Sequence, residues 1–328
     1  MSQPVSMVEV WRGDLLESFH TGHAVICDET GQIVEAWGDP DQLIYPRSSC
    51  KMIQALPLLE SGAADRAGLT PEQLALACAS HSGNAIHTDR VQTWLADLGL
   101  TDDALRCGTQ WPQPQEVEHA MVRAGESPCQ YHNNCSGKHS GFLTLAKDMN
   151  AGPEYIDPDH PVQLAVKDAF ERATGEDTPG FGIDGCSAPN FQTTVLGLAR
   201  AMARFAAAPD TSAEARLRDA MMLHPDLVAG EGRSCTRLMR AMGHRAAIKT
   251  GAEAVFVAIL PEQKLGVALK ITDGTTRASE CAIAALLVRL GVLDPRDQAA
   301  QAYLNAPLLN RRNIDTGVVR PASGWLSA

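Results

Sequence analysis

The sequence predicts an α+β fold in which strands from both ends of the chain form one antiparallel sheet. Residues 1–46 have strand patterning broken by turns, residues 249–292 contain a second hairpin, and residues 47–248 have mainly helical spacing. The chain has 328 residues, 45% of them hydrophobic, which is enough for one large core. We therefore expect a single domain over 1–328, with a sheet region at 1–46 and 249–292 and helices packed on it.

Three strands are predicted in the first forty residues. Residues 8–12 and 17–27 flank a Gly13-Asp14 turn. A polar Asp-Glu-Thr-Gly turn at 28–31 then leads into residues 32–37, which is typical of a hairpin.

Helices are predicted through the middle of the chain. Ser48 follows Pro46 and suits a helix start, and Pro57 is expected to bend that helix. Thr70 suits the cap of a helix over 71–78. The other helices predicted in this region cover 88–98, 137–149, 162–174, 190–208, 213–223 and 234–242.

The end of the chain returns to strands. Residues 254–260 and 265–272 flank a Pro-Glu-Gln-Lys turn and form a predicted hairpin. Residues 278–290 form a predicted apolar helix. The last forty residues are a tail rich in Pro, Asn and Arg, for which no helix or strand is predicted.

Composition excludes several classes of function. The net charge of −11 and the absence of a basic run argue against nucleic acid as a partner. The start of the chain has no signal-like pattern, and the longest apolar stretch, 281–288, is too short to cross a membrane. Nine cysteines without a secretion signal indicate a reducing, cytoplasmic location with free thiols.

The most informative motif is the Ser-x-x-Lys formed by Ser48 and Lys51. Residues three apart share a helix face, and a neutral amine beside a serine hydroxyl can activate it as a nucleophile. Lys249-Thr250-Gly251 follows about two hundred residues later. A Ser-x-x-Lys with a later Lys-Thr-Gly is the signature of serine β-lactamases and penicillin-binding proteins. The alternative interpretation is a helix start with a solvated lysine and an unrelated Thr-Gly turn.

Two further polar segments are candidate site loops. Residues 80–83, Ser-His-Ser-Gly, end a predicted helix, and Ser80 offers a second hydroxyl for proton relay or substrate binding; an ordinary turn explains them equally well. Cys135 and Lys138 lie three apart, and Cys186 offers another thiolate, a ligand that suits zinc. A lysine must lose its proton to bind metal, so on spacing alone a polar loop with one buried thiol is the simpler interpretation.

Together these motifs resemble those of the rhizobial-type L-asparaginases, the asparaginase II family, whose fold is similar to that of serine β-lactamases and glutaminases. The resemblance covers most of the chain, from Arg12 to the helix at Ala278. The motifs that carry it are residues 45–51, 80–83, 107–108, 134–139, 184–186 and 249–251.

The resemblance implies two Ser-Lys tandems, one formed by Ser48 and Lys51 and the other by Ser80 and Lys249. It also implies a zinc ion that assists substrate binding rather than hydrolysis. The implied zinc ligands are Cys135, Lys138 and Cys186. The implied substrate contacts are Arg47, His139 and Asp184. Cys50 departs from the expected pattern, because an aliphatic residue is expected between the motif serine and lysine.

The resulting expectation is a homodimeric enzyme that hydrolyses L-asparagine to aspartate and ammonia through a serine acyl-enzyme. One alternative is a β-lactamase-like or other serine amidase or acyl transferase, and the missing secretion signal counts against it. A second is a non-catalytic, zinc-stabilised amino-acid-binding protein.

Overall fold

A computed structural model describes residues 2–326. Residues 1, 327 and 328, at the ends of the predicted 1–328 domain, lie outside the described residues. The chain forms two compact units. The first comprises Met1–Ser49, Thr193–Ala207 and Arg237–Ala328, and the second comprises Cys50–Gln192 and Ala208–Thr236. The single-domain organisation stays a prediction.

The strands are, in chain order, β1 Val5–Arg12, β2 Leu15–Cys27, β3 Ile33–Trp37, β4 Leu43–Ile44, β5 Phe181–Ile183, β6 Pro189–Phe191, β7 Thr193–Thr194, β8 Ala247–Thr250, β9 Val255–Leu260, β10 Leu265–Ile271, β11 Ala306–Leu309 and β12 Asp315–Pro321.

The α-helices are α1 Lys51–Gln54, α2 Leu56–Glu60, α3 Ala63–Arg66, α4 Pro71–Ala77, α5 Ala85–Asp97, α6 Gln115–Ala124, α7 Ser136–Asp148, α8 Pro161–Thr174, α9 Val195–Ala207, α10 Ala213–Leu223, α11 Pro225–Val228, α12 Ser234–Met242, α13 Thr276–Arg289 and α14 Gln298–Leu304. Short 3₁₀ turns cover Arg47–Cys50, Asp102–Ala104, Gln130–His132 and Ala252–Ala254.

The first unit is built on an antiparallel sheet of strands from both ends of the chain, so the predicted α+β class is confirmed. Its order is β11-β12-β1-β2-β10-β9-β8, with β3 also paired to β2. Consecutive residues of β2 from Ala24 to Cys27 are all buried, which shows that both faces of this strand are covered. Helix α9 packs on β2, β9 and β10 of the sheet, and helix α13 packs on β1, β9 and β10.

A glycine permits the close contact between α9 and the sheet. A Cβ placed on Gly266 of β10 would overlap the backbone of α9 at Ala199 and Ala203. The helix therefore rests directly on the strand backbone. The sequence places residues 190–208 in one helix, but its first residues form β6 and β7 instead. Pro189 and the β-branched pair Thr193-Thr194 favour extended backbone there.

The C-terminal tail, for which the sequence predicted no element, is ordered into helix and strands. It forms α14, β11 and β12, and β12 pairs with β1 from Val8↔Pro321 to Arg12↔Gly317. A strand that pairs with the opposite end of the chain depends on partners that no local sequence window contains.

The second unit is mainly helical, as expected for its part of the chain. The helix predicted from Ser48 begins as a 3₁₀ turn and becomes α1, and the interruption expected at Pro57 is present, since α1 ends at Gln54. Thr70 caps α4 in a reciprocal box with Gln73, as its spacing predicts. Helix α6 is missing from the sequence-based expectation. None of the helices within residues 2–326 has the length and apolar character needed to cross a bilayer.

Candidate active site

The predicted site residues divide between the two units, because the unit boundary falls after Ser49. Arg47, Ser48 and Lys249 belong to the first unit. Lys51, Ser80 and the predicted zinc ligands belong to the second. Each predicted Ser-Lys tandem thus joins a residue of one unit to a residue of the other, and both tandems stay predictions.

In the first unit, Ser48 lies half-buried on a strained turn. Arg47, directly before it, has a φ of 53°, in the left-handed region that costs a non-glycine residue roughly 1–2 kcal/mol. The next residue, Ser49, is buried and donates its hydroxyl to the carbonyl of Pro46 at 2.7 Å. Backbone strain of this kind concentrates at functional sites, where the surrounding structure holds it in place.

The Lys-Thr-Gly motif packs against the same turn within the first unit. A Cβ on Gly251 would lie 2.6 Å from the Pro46 oxygen and 3.0 Å from the Ser49 nitrogen, so only glycine allows this approach. Lys249, on β8, is 1% exposed and donates to the carbonyl of Thr250 at 2.8 Å. The structure therefore brings together two motifs that are two hundred residues apart in the sequence.

In the second unit, Lys51 is fully buried at the start of α1. Its Nζ lies 3.0 Å from the Ser80 hydroxyl oxygen and 3.1 Å from the Cys135 sulfur, and it donates to the Ala79 carbonyl. The structure thus joins Lys51 to Ser80, a contact that the predicted tandems do not include. A buried amine against a buried hydroxyl is the arrangement needed to move a proton between them.

The loop that carries Ser80 is fixed from two sides. The backbone N–H of Ser80 donates to the Val228 carbonyl at 2.9 Å. The ring of His81 accepts the Gly83 N–H at Nδ1, at 3.2 Å, so its Nε2 carries the proton and donates to Ser136 at 2.9 Å. His81 was not among the predicted site residues, although the Ser-His-Ser-Gly motif contains it. It ties the Ser80 loop to the first turn of α7.

The His81 ring of this loop stacks on the ring of His87, which lies in the first turn of α5. The His81 and His87 rings lie 4.8 Å apart and nearly parallel, and both side chains are buried. Burial lowers the pKa of each ring below its ordinary value, and each ring's neighbours include few opposite charges to offset this. His87 donates its Nε2 proton to the Asp226 carbonyl at 2.9 Å. Both rings are therefore neutral at physiological pH.

Because these rings are neutral in the native state, we expect acid to destabilise the fold. Above about pH 6.5, the ordinary pKa of histidine, neither state binds the proton and no stability is lost. Between about pH 6.5 and the lowered native pKa only the unfolded state binds it, so each ring costs up to about 1.4 kcal/mol per pH unit as the pH falls. His87→Gln should reduce the loss of unfolding free energy measured in urea between about pH 7.5 and 5.5. The same change at the exposed His119 is the control, and equal acid sensitivity in the two variants would contradict the prediction.

The predicted zinc ligands lie together in the second unit. Ligand atoms of Cys135, Asp184 and Cys186 all lie within 4.8 Å of one another. Nζ of Lys138, on the first turn of α7, lies 3.1 Å from the Cys186 sulfur. Asp184 and Cys186 come from the loop between β5 and β6, where Ser187 has a φ of 70°. The structure therefore brings these four side chains to one place.

The charges in this cluster are unequal. The hydrogen bond from Cys135 and the charge of Lys138 hold the pKa of Cys186 well below its ordinary value. The same bond and burial raise the pKa of Cys135, which keeps its proton. Burial lowers the pKa of Lys138, but the negative charges of Cys186 and Asp184 outweigh it and raise the pKa overall. The metal-free cluster is thus a thiolate, a thiol and an ammonium.

The donor set fits a zinc ion. Two sulfurs and one nitrogen are donors that zinc accepts in a four-coordinate site, and a divalent cation would displace the protons on Cys135 and Lys138. The ring nitrogen Nε2 of His139 is also buried without a hydrogen-bond partner among residues 2–326. An unsatisfied buried polar atom beside such a cluster indicates that a further group binds there.

The remaining predicted residues are placed as follows. Arg47 and Asp184 are half-buried, and His139 is fully buried. Burial raises the pKa of Cys50 to about 12, so this thiol packs as a small apolar side chain in place of the expected aliphatic residue. Sequence reasoning missed Tyr155, whose hydroxyl lies 2.8 Å from Nδ1 of His139. The sequence could have indicated Tyr155 as a candidate, because it is the one Phe, Tyr or Trp residue in the polar segment 147–160.

Similar solved structures were found at low identity. A candidate β-lactamase from Bacteroides dorei has 9% identity and a TM-score of 0.45, with 81% of this chain and 93% of that chain covered. A β-lactamase from Mycobacterium bovis has 15% identity and a TM-score of 0.42, covering 82% and 94%. A structure of Mglu in its tris and glutamate form has 15% identity and a TM-score of 0.39, covering 89% and 63%. These likenesses are distant, and no property of those proteins is carried over to this chain.

No curated protein matches the chain at a significant level. A family model does match, and its description is L-asparaginase II. The match extends over residues 8–321, which include the Ser-x-x-Lys motif, the cysteine cluster and the Lys-Thr-Gly motif. The resemblance drawn from those motifs is therefore confirmed, and the chain belongs to the L-asparaginase II family.

Proposed function

We propose that this protein is an L-asparagine amidohydrolase that releases aspartate and ammonia through a serine acyl-enzyme. Membership of the L-asparaginase II family supports an amidohydrolase acting on a small amide substrate. The observation that carries the proposal is the fully buried Lys51, with Nζ 3.0 Å from the Ser80 hydroxyl. An amine in this setting can exchange a proton with a serine without help from a histidine.

The proposed reaction has two halves. Ser48 attacks the side-chain amide carbon of asparagine, forming a C–O bond, while Lys51 takes the hydroxyl proton. The tetrahedral intermediate then breaks its C–N bond, and the nitrogen receives a proton and leaves as ammonia. Ser80 and Lys249 complete the proposed relay to the leaving group. Water attacks the resulting ester, releases aspartate and restores the serine.

We propose that Cys135, Lys138 and Cys186 hold a zinc ion that assists substrate binding. A bound zinc would supply positive charge for a polar group of the substrate. Side chains of this protein are proposed to make the other contacts with the substrate. Arg47 and His139 are proposed to contact the substrate carboxylate, and Asp184 its ammonium group, because an amino acid presents both charges.

The zinc proposal is tested by metal analysis of the purified protein. We expect about one zinc per chain, retained on dialysis, and its loss in Cys186→Ser. Cys281→Ser is the matched control, since this buried cysteine lies in the first unit on α13. Equal zinc content in both variants would remove the cysteine cluster as the binding site.

The proposed activity is tested by ammonia release. Purified protein supplied with L-asparagine should release equal amounts of ammonia and aspartate. Nitrocefin hydrolysis in its place would favour the β-lactamase-like alternative. Asparagine binding by calorimetry with no ammonia release would favour the non-catalytic binding protein.

We also propose a homodimer in a reducing, cytoplasmic compartment. Among the residues that the structure describes, none of the nine cysteines forms a disulfide, which suits a reducing environment. Light scattering on the purified protein tests the dimer, and a mass of about 35 kDa would contradict it.

A further inference from the structure

Tyr155 is a fully buried tyrosine of the second unit that the proposed reaction does not use. Its hydroxyl oxygen lies 2.7 Å from the backbone nitrogen of Arg106, which donates to it. The same oxygen lies 2.8 Å from Nδ1 of His139. Its ring also meets the His139 ring edge-on, with centroids 5.4 Å apart. The tyrosine is thus held against the histidine by both its ring and its hydroxyl.

The hydrogen-bond donors in this chain of contacts fix the proton positions. The Arg106 N–H occupies one lone pair of the phenol oxygen. The phenol proton needs an acceptor, because leaving it unpaired in a buried site costs free energy. Nδ1 of His139 is the acceptor in reach, at 2.8 Å. A neutral imidazole that accepts at Nδ1 carries its proton at Nε2.

Nε2 of His139 is therefore a donor, and it lacks a partner among residues 2–326. The side chain is fully buried one position after Lys138, within electrostatic reach of Cys186. The opposite tautomer would place the proton on Nδ1 and leave the buried phenol proton without its acceptor. The tyrosine thereby favours one of the two neutral forms of the histidine.

We propose that Tyr155 is a positioning residue that fixes the His139 tautomer, so that Nε2–H donates to an anionic group bound at the cysteine cluster. The identity of that group, the carboxylate of asparagine, rests on the proposed function. The tautomer itself does not. Because the proton is already on Nε2, the histidine can bind an anion without first changing its tautomer. In this tautomer Nε2 is a donor, so His139 would bind a metal there only after losing that proton.

The tautomer is measured by ¹⁵N NMR on the full chain labelled at histidine. The His139 signals are identified by their loss in His139→Gln. We expect an unprotonated Nδ1 and a protonated Nε2 in the wild type between about pH 6 and 8. In folded Tyr155→Phe, which keeps the ring and removes the hydroxyl, the two nitrogens should average toward similar values. Tyr131→Phe makes the same change on a neighbouring turn and should match the wild type.

A protonated Nδ1 in the wild type would overturn the proposal, as would an unchanged His139 pattern in folded Tyr155→Phe. Both results are independent of turnover. A protein that releases no ammonia from asparagine would refute the proposed function and leave this measurement intact.

Kinetics test the role of the donor. Tyr155→Phe should raise KM for asparagine roughly fivefold, the usual worth of one buried hydrogen bond, with kcat changed much less. Tyr131→Phe should leave both parameters unchanged. A fall in kcat with KM unaltered would contradict a contact to the bound carboxylate.

Discussion

Replacing Ser48 by alanine is expected to lower kcat/KM for asparagine by roughly 10⁴-fold or more, with the fold retained. The hydroxyl is the proposed nucleophile, and no other oxygen on that turn replaces it, because Ser49 already donates to Pro46. Ammonia release and the circular dichroism spectrum measure the two parts of this prediction. More than a few per cent of wild-type turnover in the variant would contradict the assignment of the nucleophile.

Ser49→Ala is the matched control for this experiment. It removes a hydroxyl from the adjacent residue, and the Pro46 carbonyl still accepts the Ser49 N–H at 3.2 Å. We expect a loss of about 1 kcal/mol in stability and turnover within tenfold of wild type.

A slow asparagine analogue separates the two candidate serines. The intact mass after brief exposure should show one adduct per chain, and peptide mapping should place it on Ser48. An adduct on Ser80, the hydroxyl that Lys51 contacts, would exchange the roles of the two serines.

Replacing Gly137 by alanine should destabilise the second unit. Gly137 lies on the first turn of α7, and a Cβ there would overlap the Leu76 carbonyl oxygen and lie 2.9 Å from its carbon. Both are backbone atoms at the end of α4, so neither can move aside cheaply. The helix gains about 1 kcal/mol of propensity from alanine, but overpacking against a backbone costs more, and a net loss of about 2 kcal/mol is expected.

Thermal unfolding measures this loss as a Tm lower by about 4 °C or more. Gly141→Ala, one turn further along α7, is the matched control. A Cβ there meets the side chains of Leu58 and Ala77 at 3.3 and 3.6 Å, which can adjust. An equal Tm for the two variants would contradict the proposed backbone contact. Zinc content should also fall in Gly137→Ala, since α7 carries Lys138.

Local chemistry predicted most of the fold. The cap at Thr70, the interruption at Pro57 and the helix over Ser234–Met242 all follow from short-range rules and are present. The rules failed where a distant partner decides the structure. Strand β12 exists because β1 pairs with it, and its own residues are flanked by Asn, Arg and Pro, which locally favour a loop.

The same limit applies to the candidate site. Spacing alone favoured a polar loop at Cys135 and Lys138, the family resemblance implied that they are ligands, and the structure places them with Asp184 and Cys186. Spacing could not find the contact between Lys51 and Ser80, because it depends on how α1 and the loop after α4 meet. It also could not assign a role to Tyr155, since its hydroxyl matters only through the buried ring that it touches.

The pairing of β1 with β12 has a consequence for synthesis. Val8 pairs with Pro321, more than three hundred residues later, so one edge of β1 stays unpaired until that length of chain has been synthesised. During that interval the ribosome-bound chain exposes an open edge on a hydrophobic strand, which invites pairing with other nascent chains. Recombinant yield should therefore respond to growth temperature and to chaperone supply more than native stability alone would suggest.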